Sequence, residues 1–338
     1  MKSAFVPRLV NGPFGDPGLH VGLRWQGTAL QFDLGRLDRL PAAEVLKLTH
    51  VFVSHTHIDH FIGFDRVVRL FLARAATVEL FGPPGIIGNV IGKLAGYTWN
   101  LVDGYPFVLR VHEVERHQVR SVQLRATTAF AMEEIGSTPF DGVLHDEPAF
   151  SVRAVHLDHR IPCLGFAVVE KAHLNVRKDV LERLGIPAGP WLNALKQAIR
   201  AAHPAETPIT AAWRDSGGRQ QRDFELRELR DLVVETPGQK LAYVVDTLFS
   251  QPNAARVVEL ARDADVFFCE SLFLDADRDQ ALKRYHLTAR QAGTLGRMAK
   301  VKRLEVFHFS PRYDGMADQL YAEAAAAFRG DLEPDEPV

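Results

Sequence analysis

Residues 53–61 read VSHTHIDHF, which places His55, His57, Asp59 and His60 within six positions. Imidazole nitrogens and carboxylate oxygens are the donor atoms that zinc accepts. The preceding HVFVS (50–54) is apolar and short enough for a buried strand, so the histidines fall at its carboxyl end, where open α/β architectures gather ligands. His55 and His57, two apart on an extended segment, face the same side, and Asp59 and His60 open the next helix and point back over the same spot. A surface histidine or an ordinary acidic helix cap would account for any one of these residues. It would not account for four ligand types in this fixed spacing.

One short motif does not complete a metal site, so further ligands are expected at the ends of other strands. His159 closes FSVRAVHLDH, Asp246 closes KLAYVVD, and His308 lies in RLEVFHF. His156, three residues before His159, is a competing candidate, and His159 is preferred for its spacing to Cys163. Five histidines and two aspartates make a nitrogen and oxygen donor set that suits two zinc ions, with manganese or iron as alternatives. The two cysteines, Cys163 and Cys269, are far apart and form no thiolate motif.

Read in order, HTHIDH, HRIPCLGF, VVDT, FFCES, HLTARQAG and FHFSPRY resemble the metallo-β-lactamase superfamily, and the last five resemble ribonuclease Z, the tRNA 3′ processing endonuclease. The resemblance covers roughly residues 45–315 and implies an αββα sandwich of two mixed sheets flanked by helices. It implies that His55, His57 and His159 hold one metal, that Asp59, His60 and His308 hold the other, and that Asp246 bridges them. It also implies an acid made of His286 with Glu270, and a tRNA-gripping arm around GIPAGP (185–190). The chain departs from the family at its front. The Gly-Thr-rich loop and the Asp-Cys-Gly-Glu-Gly-Thr-Gln-like segment are replaced by LVNGPFGDPGLHV and QFDLGRLDRL, in which only Asp33 and Gly35 survive.

Such a ligand set predicts hydrolysis. Paired divalent ions lower the pKa of a shared water towards neutrality and polarise a phosphoryl oxygen. Asp59 then orients the nucleophile and takes its proton, His286 with Glu270 protonates the leaving alkoxide, and Arg312 in HFSPRY clamps a phosphate. An exposed histidine at a helix start and a solvated arginine are the plainer readings of His286 and Arg312. The expected substrate is a tRNA precursor or a small phosphodiester. Cleavage of an ester, thioester or lactam by the same superfamily is a second reading, and a non-catalytic metal-stabilised scaffold is a third.

The elements that must position these residues are legible around them. Strands are expected at 19–25 and 29–35 around a turn at Gly27, at 50–54, in TVELFG, and at 106–114, 119–129, 150–159, 163–170, 240–246, 264–270 and 303–309. Helices are expected at 41–48, through IDHFIGFDRVVRLFLARA, in PPGIIGNVIGKLAG and at 289–299. Residues 171–236 break this rhythm and are expected to form an arm inserted into a single domain spanning 1–338. Its first part, 171–200, carries six Lys or Arg against two acids, although the whole chain has a formal charge of −2. That contrast points to a phosphate-rich partner. The alternative packs Leu181, Leu184, Trp191 and Leu195 on each other or on a second subunit, and a homodimer is the expected assembly. With no apolar run long enough to span a bilayer and no signal-like N-terminus, a cytoplasmic protein is expected. The acidic end DLEPDEPV reads as a frayed terminus.

Overall fold

Near-continuous burial along the central strands marks them as covered on both faces. In the computed structural model, which describes residues 4–337, one sheet runs in chain order. It comprises β1 (Phe5–Leu9), β2 (Leu19–Leu23), β3 (Thr28–Phe32), β4 (Leu48–Phe52), β5 (Thr77–Gly82), β6 (Val108–Val114), β7 (Gln118–Arg125) and β8 (Met132–Pro139). Strands β3 to β6 are parallel and the flanking pairs antiparallel. A second sheet starts with β9 (Val143–Asp146), β10 (Phe150–Asp158) and β11 (Pro162–Glu170). Four strands, β12 (His173–Val176), β13 (Pro208–Asp215), β14 (Gly218–Glu225) and β15 (Val233–Thr236), intervene. Then β16 (Lys240–Val244), β17 (Val266–Glu270) and β18 (Leu304–Phe307) complete the sheet in the order β18-β17-β16-β11-β10-β9.

Val51 and Val53 at β4 and Val78 and Leu80 on β5 pack on Phe64, Val68 and Phe71 of the helix Phe64–Phe71. Their neighbours Phe52 and Phe81 point the other way, into a core shared with Phe166, Tyr243 and Phe307 of the second sheet. Ala242, Val244, Phe267 and Cys269 face outward from that sheet onto helices Gln251–Ala261, Ala289–Met298 and Ala317–Arg329. The result is the expected αββα order. Phe32, Phe52 and Phe81 stack in the middle layer with centroids 5.1 and 5.2 Å apart, and full burial of each ring contributes about 2–3 kcal/mol.

Several local expectations change. The helix expected through IDHFIGFD is two, Ile58–Phe61 and Phe64–Phe71. The break is at Gly63, where a Cβ would come within 2.2 Å of the Gly35 carbonyl oxygen. Strands β1, β8 and β9 are not among the expected strands; β9 carries no clear alternation and β8 is exposed at every position. The tail is docked over its described part, Val338 lying outside the described residues: Asp335 is buried and pairs with Arg278 at 2.9 Å, and Arg290 donates to the Glu333 carbonyl at 2.8 Å.

The chain divides into two compact units, a larger one running to Val169 and resuming at Gln239, and a smaller one, Glu170–Gly238. The smaller has its own core, in which Leu181, Trp191 and Leu195 pack with Ile209, Phe224 and Leu229, and Leu184 lies against it. Its helices Lys178–Leu184 and Trp191–Arg200 flank GIPAGP, and the Gly, Arg and Gln rich stretch is the hairpin β13–β14. Gly218, at φ 105°, supplies the left-handed residue after the turn. Among the described residues no helix is long and apolar enough to cross a membrane.

Candidate metal centre

Strand ends converge on one carboxylate. Val53 is still paired to β5, through its N–H to the Phe81 carbonyl; beyond it the backbone leaves the sheet and delivers His55, His57, Asp59 and His60. His159 follows β10, Asp246 follows β16 and His308 follows β18. Asp246 Oδ2 lies 3.5 Å from His55 Nε2, 3.3 Å from His60 Nε2 and 3.5 Å from His159 Nε2, and its Oδ1 lies 3.8 Å from His308 Nε2. His57 sits against His55 and His159, with centroids 4.4 and 5.2 Å away. Asp59 faces His60 and His308 at 3.6 and 3.8 Å. All seven ligand candidates are therefore brought together, in one group of His55, His57, His159 and Asp246 and another of Asp59, His60 and His308.

The arrangement is buried and incomplete in hydrogen bonding. His55, His60 and Asp246 are at most 2% exposed, and among the described residues His55 Nε2, His60 Nε2 and Asp246 Oδ1 have no hydrogen-bond partner. Stranding polar atoms in this way costs each of them about 1–3 kcal/mol unless something else coordinates them. Asp246 and His308 also hold left-handed backbone, at φ 33° and 61°, which favours glycine. The donor set is therefore the kind a divalent ion completes.

Electrostatics divide the histidines. Burial lowers the pKa of His55, His57 and His308, keeping them in the neutral form that coordinates metal. Burial acts the same way on His60, but the carboxylates of Asp246 and Asp33 outweigh it and lift its pKa well above the usual value. Burial would raise the Asp246 carboxyl, yet His60, His308 and His286 hold it well below the carboxylate range.

His286 joins the site from the other side. Its Nδ1 lies 2.9 Å from Glu270 Oε2, whose other oxygen accepts from the Thr247 N–H at 2.8 Å. Burial opposes charge on this ring, but Glu270 and Asp246 prevail and raise its pKa to about 9. His286, Asp59 and Arg312 line an open cavity of about 600 Å³ above Asp246. Arg312 stands on its rim, over the Phe273 ring at 5.5 Å and paired with Asp277 at 3.4 Å. His156 is kept away from the centre by a contact between its Nε2 and the Glu115 carbonyl at 3.2 Å.

Two supporting residues, Asp33 and Tyr285, had no assigned role in the sequence reading. Asp33 is fully buried and takes His60 Nδ1 at 3.0 Å, the Tyr243 hydroxyl at 3.0 Å and the Ser54 hydroxyl at 2.9 Å. It thereby fixes the His60 tautomer and turns Nε2 towards Asp246. The surviving Asp-x-Gly pair was the available signal. The Tyr285 carbonyl does the same for His159, accepting from Nδ1 at 2.8 Å; a backbone group leaves no signature in sequence.

No protein-family model matches the chain. It is 33% identical to the ribonuclease Z of Deinococcus radiodurans over 290 residues, covering 85% of this chain and 83% of the relative. It is 32% identical to the ribonuclease Z of Thermobifida fusca over 319 residues, covering 92% and 84%. Among solved structures, the short form of human tRNase Z superposes with a TM-score of 0.52 at 18% identity, over 91% of this chain and 92% of that one. The metallo-β-lactamase fold protein YhfI of Bacillus subtilis gives 0.53 at 15% identity, over 95% and 92%. These structural likenesses establish the metallo-β-lactamase fold, and the sequence relatives establish the family: the chain belongs to the ribonuclease Z family of metal-dependent hydrolases.

Proposed function

We propose that the protein is a dinuclear zinc endonuclease that cuts tRNA precursors on the 3′ side. The observation that carries this reading is the convergence of buried, partnerless ring nitrogens on Asp246. His55, His57 and His159 would hold one ion, Asp59, His60 and His308 the other, and Asp246 both. Ions bound there supply Lewis acidity at a phosphoryl oxygen and make water nucleophilic at neutral pH. Asp59, half-buried at the start of its helix, accepts the proton that the attacking water loses. His286 has Nδ1 engaged by Glu270, which leaves Nε2 as the nitrogen that donates to the departing alkoxide. Arg312 steadies a phosphate at the cavity rim. The basic segment 171–200 supports a recognition role for the arm 171–236, leaving the chemistry to the sandwich. A cytoplasmic homodimer completes the proposal.

Cleavage mapping on a precursor tRNA, with and without chelator, tests it. A single chelator-sensitive cut just after the discriminator base is expected. Turnover of a thioester or β-lactam with the RNA left intact would overturn it.

A further inference from the structure

Two cavities meet at Arg160 and Ile161. One is the mouth of the metal centre; the other, about 450 Å³, lies where the end of β10 meets the start of the helix Gln251–Ala261. Arg116, Arg160, Arg256, His156 and Asp158 line this second cavity. Three arginines therefore line the cavity beside a single carboxylate, and among the described residues none of the three forms an ion pair. Arg256 donates to the His156 carbonyl at 3.3 Å, and Arg160 lies over the Tyr285 ring at 5.4 Å. Asp158 uses Oδ1 to accept from the Arg160 N–H at 2.9 Å.

The walls are braced. Buried Asn253 accepts from the Asp158 N–H at 3.2 Å and donates to the carbonyls of Asp158 and Leu248 at 3.1 and 3.0 Å and to Thr247 Oγ1 at 2.9 Å. Arg160 itself takes a left-handed backbone, φ 61°, immediately after His159. Concentrating like charge on a fixed frame costs self-repulsion that a bound polyanion relieves. Arginine presents its donors in a fork that matches phosphate oxygens.

We propose that this second cavity is a phosphate subsite for the RNA strand that leaves the scissile bond. Arg116 and Arg256 take its backbone phosphate, and Arg160 stands at the junction with the metal centre. The assignment rests on the phosphodiesterase reading above. It extends the substrate contact beyond the reacting phosphate, along the surface of the larger unit, and needs no base-specific contact.

The test uses the full chain loaded with zinc, the double variant Arg116→Ala/Arg256→Ala, and its counterpart Arg116→Lys/Arg256→Lys. Binding of a fluorescein-labelled single-stranded RNA of about ten nucleotides is followed by anisotropy across a salt series. Hydrolysis of bis-p-nitrophenyl phosphate, which ends inside the first cavity, is measured in parallel and reports that the variants are folded. The alanine pair is expected to weaken RNA binding about tenfold or more. It should also lower the slope of log K against log salt by about 0.7, one single-strand phosphate contact. KM for precursor tRNA rises by the same factor while kcat and small-diester turnover hold within about twofold. The lysine pair restores the salt slope without the full affinity.

Wild-type affinity and slope in the alanine pair would overturn the subsite even if wild type cuts RNA. Calorimetric binding of inorganic phosphate that the alanine pair loses, with RNA affinity unchanged, would overturn it in favour of a free-phosphate site. Wild type that binds RNA through these arginines but cuts none would keep the subsite and overturn the endonuclease reading. Wild type that neither binds nor cuts RNA would overturn both.

Discussion

Histidines gather at both ends of β4, and the two gatherings are built on opposite rules. At the carboxyl end, His55, His57 and His60 send nitrogens towards a shared carboxylate, and the Nε2 atoms of His55 and His60 have no hydrogen-bond partner. At the amino end, His50 faces His145 of β9 with ring centroids 4.0 Å apart, close to His112 of β6. There four of the six ring nitrogens are taken. His112 contacts Ser121 Oγ and Glu79 Oε2, each at 2.7 Å, His145 contacts Glu147 at 2.9 Å, and His50 Nδ1 contacts Thr49 Oγ1 at 3.0 Å. His112 stacks on Phe81 at 4.3 Å, so these rings also serve as packing. The count of histidines is similar; what separates a metal centre from a polar patch in a core is whether the nitrogens are left for something else to satisfy.

The comparison breaks most visibly if metal content follows the wrong cluster. Asp246→Ala should lose bound zinc, measured by elemental analysis after reconstitution, and cut phosphodiester turnover by about 10³-fold or more, a barrier increase of about 4 kcal/mol. The triple variant His50→Gln/His112→Gln/His145→Gln should keep the wild-type zinc content. Loss of an ion from the triple variant would make the amino-end cluster a ligand set after all.

A smaller effect sharpens the amino end. Burial, then the neighbouring His145, push the pKa of His50 from 6.5 down to about 4. Between those pH values the unfolded chain binds a proton there and the folded chain does not, so stability falls as pH drops through the window. The expected loss is about 3 kcal/mol. It is read as the difference between wild type and His50→Gln in urea unfolding at neutral pH and near pH 4. An identical pH dependence in both proteins would show that the ring titrates freely.

The smallest effect separates the two roles within the carboxyl end. His286→Ala should leave zinc content intact and slow cleavage of a poor leaving group about 10²-fold, with little effect on an activated nitrophenyl diester. Equal losses on both substrates would assign His286 to positioning and not to proton donation.

Sequence legibility follows the same division. The ligands could be read because coordination restricts residue type and because each stands where a buried, apolar strand ends, as with HVFVS before His55 and KLAYVV before Asp246. The αββα order was reached through the resemblance, and the structure shows the alternation that enforces it, Val51 and Val53 against Phe52. What escaped lacked a pattern. Edge strand β8 is exposed throughout, and the docked tail depends on a few long-range contacts, Arg278 with Asp335 and Arg290 with the Glu333 carbonyl. The helix break at Gly63 depends on a backbone approach from Gly35, 28 positions earlier in the chain. The amino-end histidines are scattered over three strands: the register of His50 beside Glu79 and of Phe81 beside His112 unites two of them, and His145 joins from the other sheet.

The inserted unit bears on how the chain assembles. Strands β11 and β16 pair antiparallel, Phe166 opposite Tyr243, yet Glu170–Gly238 lies between them in sequence. Within the insert, β12 and β15 also pair antiparallel, His173 opposite Thr236, so its first and last residues are held side by side. Once that pairing forms, joining β11 to β16 no longer requires closing a floppy loop of about 70 residues but only one of a few. The entropy saved is about 2 kcal/mol. The insert thus acts as an internal splint, and folding of the split catalytic sheet is expected to speed up when β12 and β15 zip first.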